Sequence, residues 1–192
     1  MARVLLLYGT REGHTADVAR EIAATLSADG HEVDPVHLEH GPGPTPADFD
    51  GVVVGSSVHM GRHERAVIDW VRHVRGPLSE RPAAFFTVCL SAVAEHGEEQ
   101  LARSYVDGFV EETGWHPDIV GLFGGALLYT QYGFAKRAVI KDIAARQGLP
   151  TDTSRDWDLT DHEAVRHFAA DTSRLLAPRS GGDDAPAPQL GT

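Results

Sequence analysis

The sequence predicts an α/β domain: a doubly wound, five-stranded parallel sheet with helices on both faces and one extra helix before the last. Three observations predict it. Short runs such as VLLLY at residues 4–8 and GVVVG at 51–55 are apolar without polar alternation, the mark of strands covered on both faces. Between such runs lie stretches whose apolar residues recur three and four apart, as amphipathic helices require. Strand and helix patterns alternate along the chain, which builds a parallel sheet with helices packed against it. A length of 192 residues suits one core, and 42% hydrophobic with 23% charged residues is a globular composition.

The elements follow in order. Residues 4–8 form the first strand, and a helix over 15–28 places Val18, Ile22 and Leu26 four apart, widened by Ala19 and Ala23, with Gly30 beyond its end. A second strand covers 33–38. The next 12 residues, 39–50, hold three prolines and two glycines. That is just long enough for a crossover between parallel neighbours. A third strand at 51–55 leads through a loop to His63 and a helix over 64–75 that stops before Pro77. A fourth strand spans 83–90, and a helix over 98–113 sets Leu101, Tyr105 and Phe109 on one face. A fifth strand spans 119–127, followed by helices over 134–147 and 161–176. Thr160 and Glu163 read as a capping box for the last helix. Residues 1–177 make the domain. The tail, 178–192, is polar and rich in Gly and Pro, and reads as disordered.

Composition excludes several classes. Lys and Arg number 17 against 28 Asp and Glu, a formal charge of −11, which argues against nucleic-acid binding, since that needs clustered cations. The lone Cys89 allows no internal disulfide and no cysteine-based zinc site. No apolar run approaches the ~18–20 residues a membrane span needs, and the N-terminus runs straight into a strand pattern, so the expectation is a cytoplasmic protein.

In a doubly wound sheet, ligands sit beyond the carboxyl ends of the strands where strand order reverses. The loop Tyr8-Gly9-Thr10-Arg11-Glu12-Gly13-His14-Thr15 therefore draws attention. A strand ends, a glycine permits a turn, and a helix begins among hydroxyl residues, so free amides and the helix dipole would cradle an anion. No Walker lysine and no Gly-x-Gly-x-x-Gly is present, which speaks against a nucleoside triphosphate or a dinucleotide. His59 and His63 flank Gly61 next to Glu64, but a glycine between them makes a helical metal pair unsuitable, and no metal site is assigned. Cys89 reads as a small buried hydrophobe, and Trp70, Trp115 and Trp157 as core or shell. His162, Glu163, Arg166 and His167 read as a solvated helix face.

Thr10-x-x-Gly13-x-Thr15 after the first strand resembles the phosphate loop of flavodoxin-like proteins. Its Thr-Arg-acid-Gly-x-Thr form is most similar to the menaquinone-dependent protoporphyrinogen IX oxidase family. Gly55-Ser56-Ser57-Val58-His59-Met60-Gly61-Arg62-His63, Trp115-His116-Pro117-Asp118, Gly125-Ala126-Leu127-x-Tyr129, Thr151-Asp152-Thr153 and the extra helix fit the same family. The resemblance implies FMN as cofactor. Thr10, Arg11, Glu12, Gly13, His14 and Thr15 would hold its phosphate, with the Glu12 carboxylate turned away. Ser56, Ser57, Val58, His59 and Gly61 would border the ring on one side, and Leu90, Ser91, Ala92 and Val93 on the other.

It also implies an oxidoreductase that passes electrons from a small-molecule reductant, protoporphyrinogen IX in the family, through FMN to a quinone. No dedicated protein acid or base is assigned, because a flavin carries the hydride chemistry itself. Neither ring-side loop offers an aromatic to stack on the flavin, and residues 94–99 are acidic. Two alternatives stay open: a flavodoxin-type electron carrier, and a flavodoxin-fold interaction protein that lost FMN. Whether the chain forms a homo-oligomer is also open. The extra helix, 134–147, carries Lys136, Arg137, Lys141 and Arg146 against Asp142, with Phe134, Val139, Ile140 and Ile143 beside them. It reads either as a core-facing amphipathic helix or as a peripheral contact with the inner face of the cell membrane.

Overall fold

Apolar strands covered on both faces need partners on both sides, and the chain supplies them. The computed structural model describes residues 1–93 and 99–177. In order these form β1 (Arg3–Gly9), α1 (His14–Ala28), β2 (Glu32–His37), β3 (Gly51–His59), β4 (Arg62–His63), α2 (Arg65–Ser79) and β5 (Ala83–Cys89). Then come α3 (Glu99–Thr113), β6 (Ile119–Gly124), β7 (Ala126–Leu127), α4 (Phe134–Arg146), β8 (Trp157–Asp158) and α5 (His162–Leu176). Five strands pair in parallel in the order β2-β1-β3-β5-β6. Strand order reverses between β1 and β3, so the ligand crevice of such a sheet opens above these two.

Alternate residues of each strand feed two cores. Leu5, Leu7, Val52, Val54 and Phe85 pack against α2 and α3, where Phe109 and Trp115 complete an aromatic cluster. Val4, Leu6, Val53, Ala84 and Phe86 pack against Val18, Ile22 and Leu26 of α1 and against Val165 and Phe168 of α5. A third, smaller core of Leu127, Tyr129, Tyr132, Ala144 and Leu149 belongs to the segment between β6 and α5.

The structure corrects several details of the sequence reading. α2 runs through Pro77 to Ser79. Val74 and Leu78 are buried there, and their burial holds the last turn despite the missing amide. The core face of α3 is Ala102, Val106 and Phe109, while Leu101 is exposed. β3 continues to His59 and folds back on β4 through Met60 (φ 51°) and Gly61 (φ 76°), two left-handed residues as in a tight hairpin turn. The fifth strand breaks at Gly125, and its continuation β7 pairs antiparallel with β8. At the start of α5 the cap is Asp161, whose carboxylate accepts from the amides of Glu163 and Ala164 at 2.9 and 3.0 Å. Thr160 is used elsewhere. α4 touches only the third core, through buried Ala144 and half-buried Ile140, and leaves Phe134, Val139 and Ile143 exposed. The tail and most of the acidic loop after Val93 lie outside the described residues.

Candidate functional site: a cleft at the switch in strand order

β1 delivers Thr10 to Gly13 to the reversal point because its buried run ends at Gly9. Gly13 takes φ 92° and stands as the N-cap of α1 without a side-chain cap. A Cβ would be strained there, and the absent cap leaves first-turn amides for an incoming anion. Thr10 Oγ1 accepts from the Gly13 amide at 3.1 Å, leaving its own hydroxyl proton to donate. Thr15, buried on the first turn, lines the same cleft.

The cleft brings together Thr10, Arg11, Glu12, His14 and Thr15 from this loop, Ser57, Val58 and His59 from the end of β3, and Leu90 after β5. Its free volume is small, about 130 Å³. Other expected residues sit behind the surface. Ser56 is fully buried, its hydroxyl donating to the Ser57 carbonyl at 3.0 Å and accepting from the Glu64 amide at 3.0 Å. Gly61 forms the hairpin turn, Ser91 is buried, and Ala92 and Val93 follow in the turn after β5. Val93 and Leu90 pack against the small third core.

Sequence reasoning missed the residues that close the cleft from afar. Tyr132 and Ile140, from the segment before α5, line it together with Val88, Cys89, Gly125 and Ala126. Tyr132 Oη donates to Glu12 Oε2 at 2.7 Å, and Lys136 Nζ donates to Glu12 Oε1 at 2.6 Å while lying 4.2 Å from the Tyr132 ring centroid. The Leu128 amide donates to Tyr132 Oη at 3.3 Å. Burial alone would raise the Glu12 carboxyl, but hydrogen bonds from Lys136 and Tyr132 and the Lys136 charge outweigh it and hold it below the usual range. Burial and the bond to Glu12 push the Tyr132 phenol well up. The only local hint in the sequence was an acid where a phosphate loop favours hydroxyls.

Glu64 was also missed. Its carboxylate accepts from Ser57 Oγ at 2.9 Å and pairs with Arg11 Nε at 3.0 Å, tying the end of β3 to the loop after β1. His14 is pinned on the far side. Its Nε2 lies 2.7 Å from Thr160 Oγ1 and 3.4 Å from Asp158 Oδ1, and Thr160 donates to the Gly124 carbonyl at 3.0 Å. His59 is exposed at the cleft. His63 instead turns into the core against Phe85 and Phe109, 3.1 Å from Thr87 Oγ1, where burial lowers its imidazole to about 4. Burial lifts the Cys89 thiol to about 11, so it is no nucleophile near neutrality. Trp115-His116-Pro117-Asp118 serves the fold: Asp118 exchanges backbone and carboxylate bonds of 2.8 Å with Ala83 at the start of β5.

Comparison with known proteins agrees with this architecture. The sequence model of the Flavodoxin domain matches residues 5–154. Protoporphyrinogen IX dehydrogenase [quinone] of Leishmania major is 35% identical over 175 residues, covering 90% of this chain and 75% of the relative. The protein of the same name from Escherichia coli K12 is 31% identical over 173 residues, covering 90% and 96%. Among solved structures, oxidised flavodoxin 1 of Bacillus cereus superposes with a TM-score of 0.55 at 16% identity, over 91% of this chain and 99% of that one. A short-chain flavodoxin associated with a bacterial microcompartment gives 0.57 at 14% identity, over 92% and 100%. At these identities the structural likeness speaks for the fold alone.

Proposed function

The chain belongs to the flavodoxin-domain family, and from that premise we propose that it is an FMN-dependent oxidoreductase acting on a porphyrinogen and passing the electrons to a quinone. The observation that carries this is the uncapped start of α1 at the reversal of strand order, in one cleft with the ends of β3 and β5. The relatives' shared name supplies the substrate class.

The residues fit the cofactor. Thr10 and Thr15 hydroxyls and the first-turn amides of α1 would hold the phosphate, aided by the helix dipole. The His14 ring is committed to Thr160 and Asp158, so its amide serves rather than its imidazole. The Glu12 carboxylate stays ionised, and the Lys136 charge with the Tyr132 hydrogen bond offsets its repulsion of a phosphate. Ser57, Val58 and His59 on one side and Leu90 on the other would border the cofactor's rings. When bound, FMN supplies a hydride acceptor that can later release the electrons to a second substrate. The protein's part is to orient it: Glu64 fixes Ser57 against Arg11, and Leu90 and Val93 brace the opposite wall on the third core.

Fluorescence-quenching titration with FMN tests the cradle. Thr15→Val should weaken binding by roughly 1.5–3 kcal/mol, the worth of a hydrogen bond to a charged group. Unchanged affinity would place the phosphate elsewhere.

The reading also includes peripheral contact with an anionic membrane through α4. Phe134 is 90% exposed, and Val139 and Ile143 are also open to solvent on a helix rich in cations. Among the described residues no helix is long and apolar enough to cross a membrane.

A further inference from the structure

A larger cavity, about 730 Å³, lies beside the cleft and shares Thr10 and Arg11 with it, while Glu64 on its wall bonds to Ser57 of the cleft. That volume falls in the range of small-molecule sites, about 300–1,000 Å³. Its apolar lining is Leu38, Pro42, Ala66 and Trp70. The indole is fixed, with Nε1 donating to the Pro44 carbonyl at 3.0 Å. The loop lies so close on it that a Cβ at Gly43 would stand 2.6 Å from the ring.

The polar groups around this cavity are of two kinds. Glu64 and Asp69 are already satisfied, by Ser57 and Arg11 and by Arg65 at 2.8 Å, and Glu39 stands 3.5 Å from His37. His40 and His73 are exposed and make no hydrogen bond or ion pair among the described residues. The charged side chains of the wall stand in opposite pairs, Arg11 with Glu64 and Arg65 with Asp69, so the cavity presents little net charge to an ion. A neutral planar ligand with carbonyl acceptors needs none broken: its ring meets the apolar wall and its oxygens meet imidazole N–H groups.

We propose that this cavity binds the ring of the quinone acceptor, one wall of side chains away from the flavin cleft. This rests on the oxidoreductase reading and assigns its second substrate a place. The quinone gains two electrons from the reduced flavin and two protons, one on each carbonyl oxygen, and leaves as the hydroquinone. The flavin is oxidised and gives up two protons. His40 and His73 relay protons between solvent and the quinone oxygens, so the sum over the two partners is balanced.

The probe is a water-soluble naphthoquinone without a long tail. It should quench tryptophan fluorescence of the FMN-free protein saturably, and in turnover Ala66→Phe should raise its KM at least tenfold. The same substitution should weaken the quenching tenfold and leave FMN affinity unchanged. Replacing His40 and His73 together by Ala should raise the quinone KM and shift its pH profile. If Ala66→Phe does not fold, His73→Trp at the lip must produce the same block. Quenching and quinone KM that both ignore these variants overturn the proposal. So does competition between naphthoquinone and FMN, or a block that falls on the porphyrinogen instead. A protein that takes up no FMN would overturn the oxidoreductase reading, while saturable quenching lost in Ala66→Phe would still locate the quinone.

Discussion

A carboxylate beside a phosphate is a liability unless something holds it off, and Glu12 is held by residues 120 and 124 positions away. The spacing of Thr10, Gly13 and Thr15 was legible because a strand end, a turn and a helix start are local events. The grip on Glu12 was not, since no pattern links residue 12 to residues 132 and 136. Lys136→Ala should free the carboxylate and weaken FMN binding about three- to tenfold, the lower figure reflecting solvent around the pair. Adding Glu12→Gln should restore it, whereas loss without rescue would mean that Lys136 acts by another route. His63 gives a second residue-scale prediction. Its imidazole is lowered to about 4 from 6.5 by burial, so in that window the unfolded chain holds the proton and the folded chain does not. Stability is therefore full above about 6.5 and falls as pH drops toward 4, by up to about 1.4 kcal/mol per unit. His63→Gln keeps a partner for Thr87 but cannot take that proton, so urea midpoints should lose this slope. An unaltered slope would assign the acid sensitivity to other groups.

At the scale of elements, buried strands and the α1 stripe were readable because both faces of the sheet are covered and α1 packs on one side only. α3 was misread because Leu101, Tyr105 and Phe109 and the true set Ala102, Val106 and Phe109 share the same period, and a small Ala marks the closest approach. The cap of α5 was misplaced by one residue. Thr160 and Asp161 both cap well, and only the tertiary bonds of Thr160 to Gly124 and His14 decide between them. Asp161→Ala should cost about 1 kcal/mol of stability in thermal or urea melts, and Thr160→Val should also disturb the loop at His14. α4 is stranger: Phe134, Val139 and Ile143 are exposed, while Lys136 pairs with Glu12 and Arg146 with Asp142 at 2.6 Å. Membrane contact through it should accordingly be weak and salt-sensitive, since each free cation near an anionic surface is worth only about 1 kcal/mol. Sedimentation with anionic vesicles should carry down a fraction at low salt and none at high salt. Phe134→Ala with Lys141→Glu should abolish it, and equal recovery in the supernatant for both proteins would remove α4 from the account.

On the scale of the molecule, one sheet reversal gathers loops that are far apart in sequence into two adjoining spaces, a narrow cleft and a wide cavity, divided by Arg11 and Glu64. An electron carrier needs only the first space, whereas an enzyme with two organic substrates has use for both. Fold does not fix substrate, so chemistry must decide between these. The most direct measurement is anaerobic mixing of the FMN-loaded protein with protoporphyrinogen IX, followed by a naphthoquinone, while flavin absorbance and porphyrin fluorescence are recorded. The account predicts that the flavin bleaches as porphyrin fluorescence appears, that colour returns on adding quinone, and that the cycle repeats over many turnovers. A flavin that stays oxidised in the presence of porphyrinogen, while still accepting electrons one at a time from an artificial donor, would contradict it and identify the chain as a carrier.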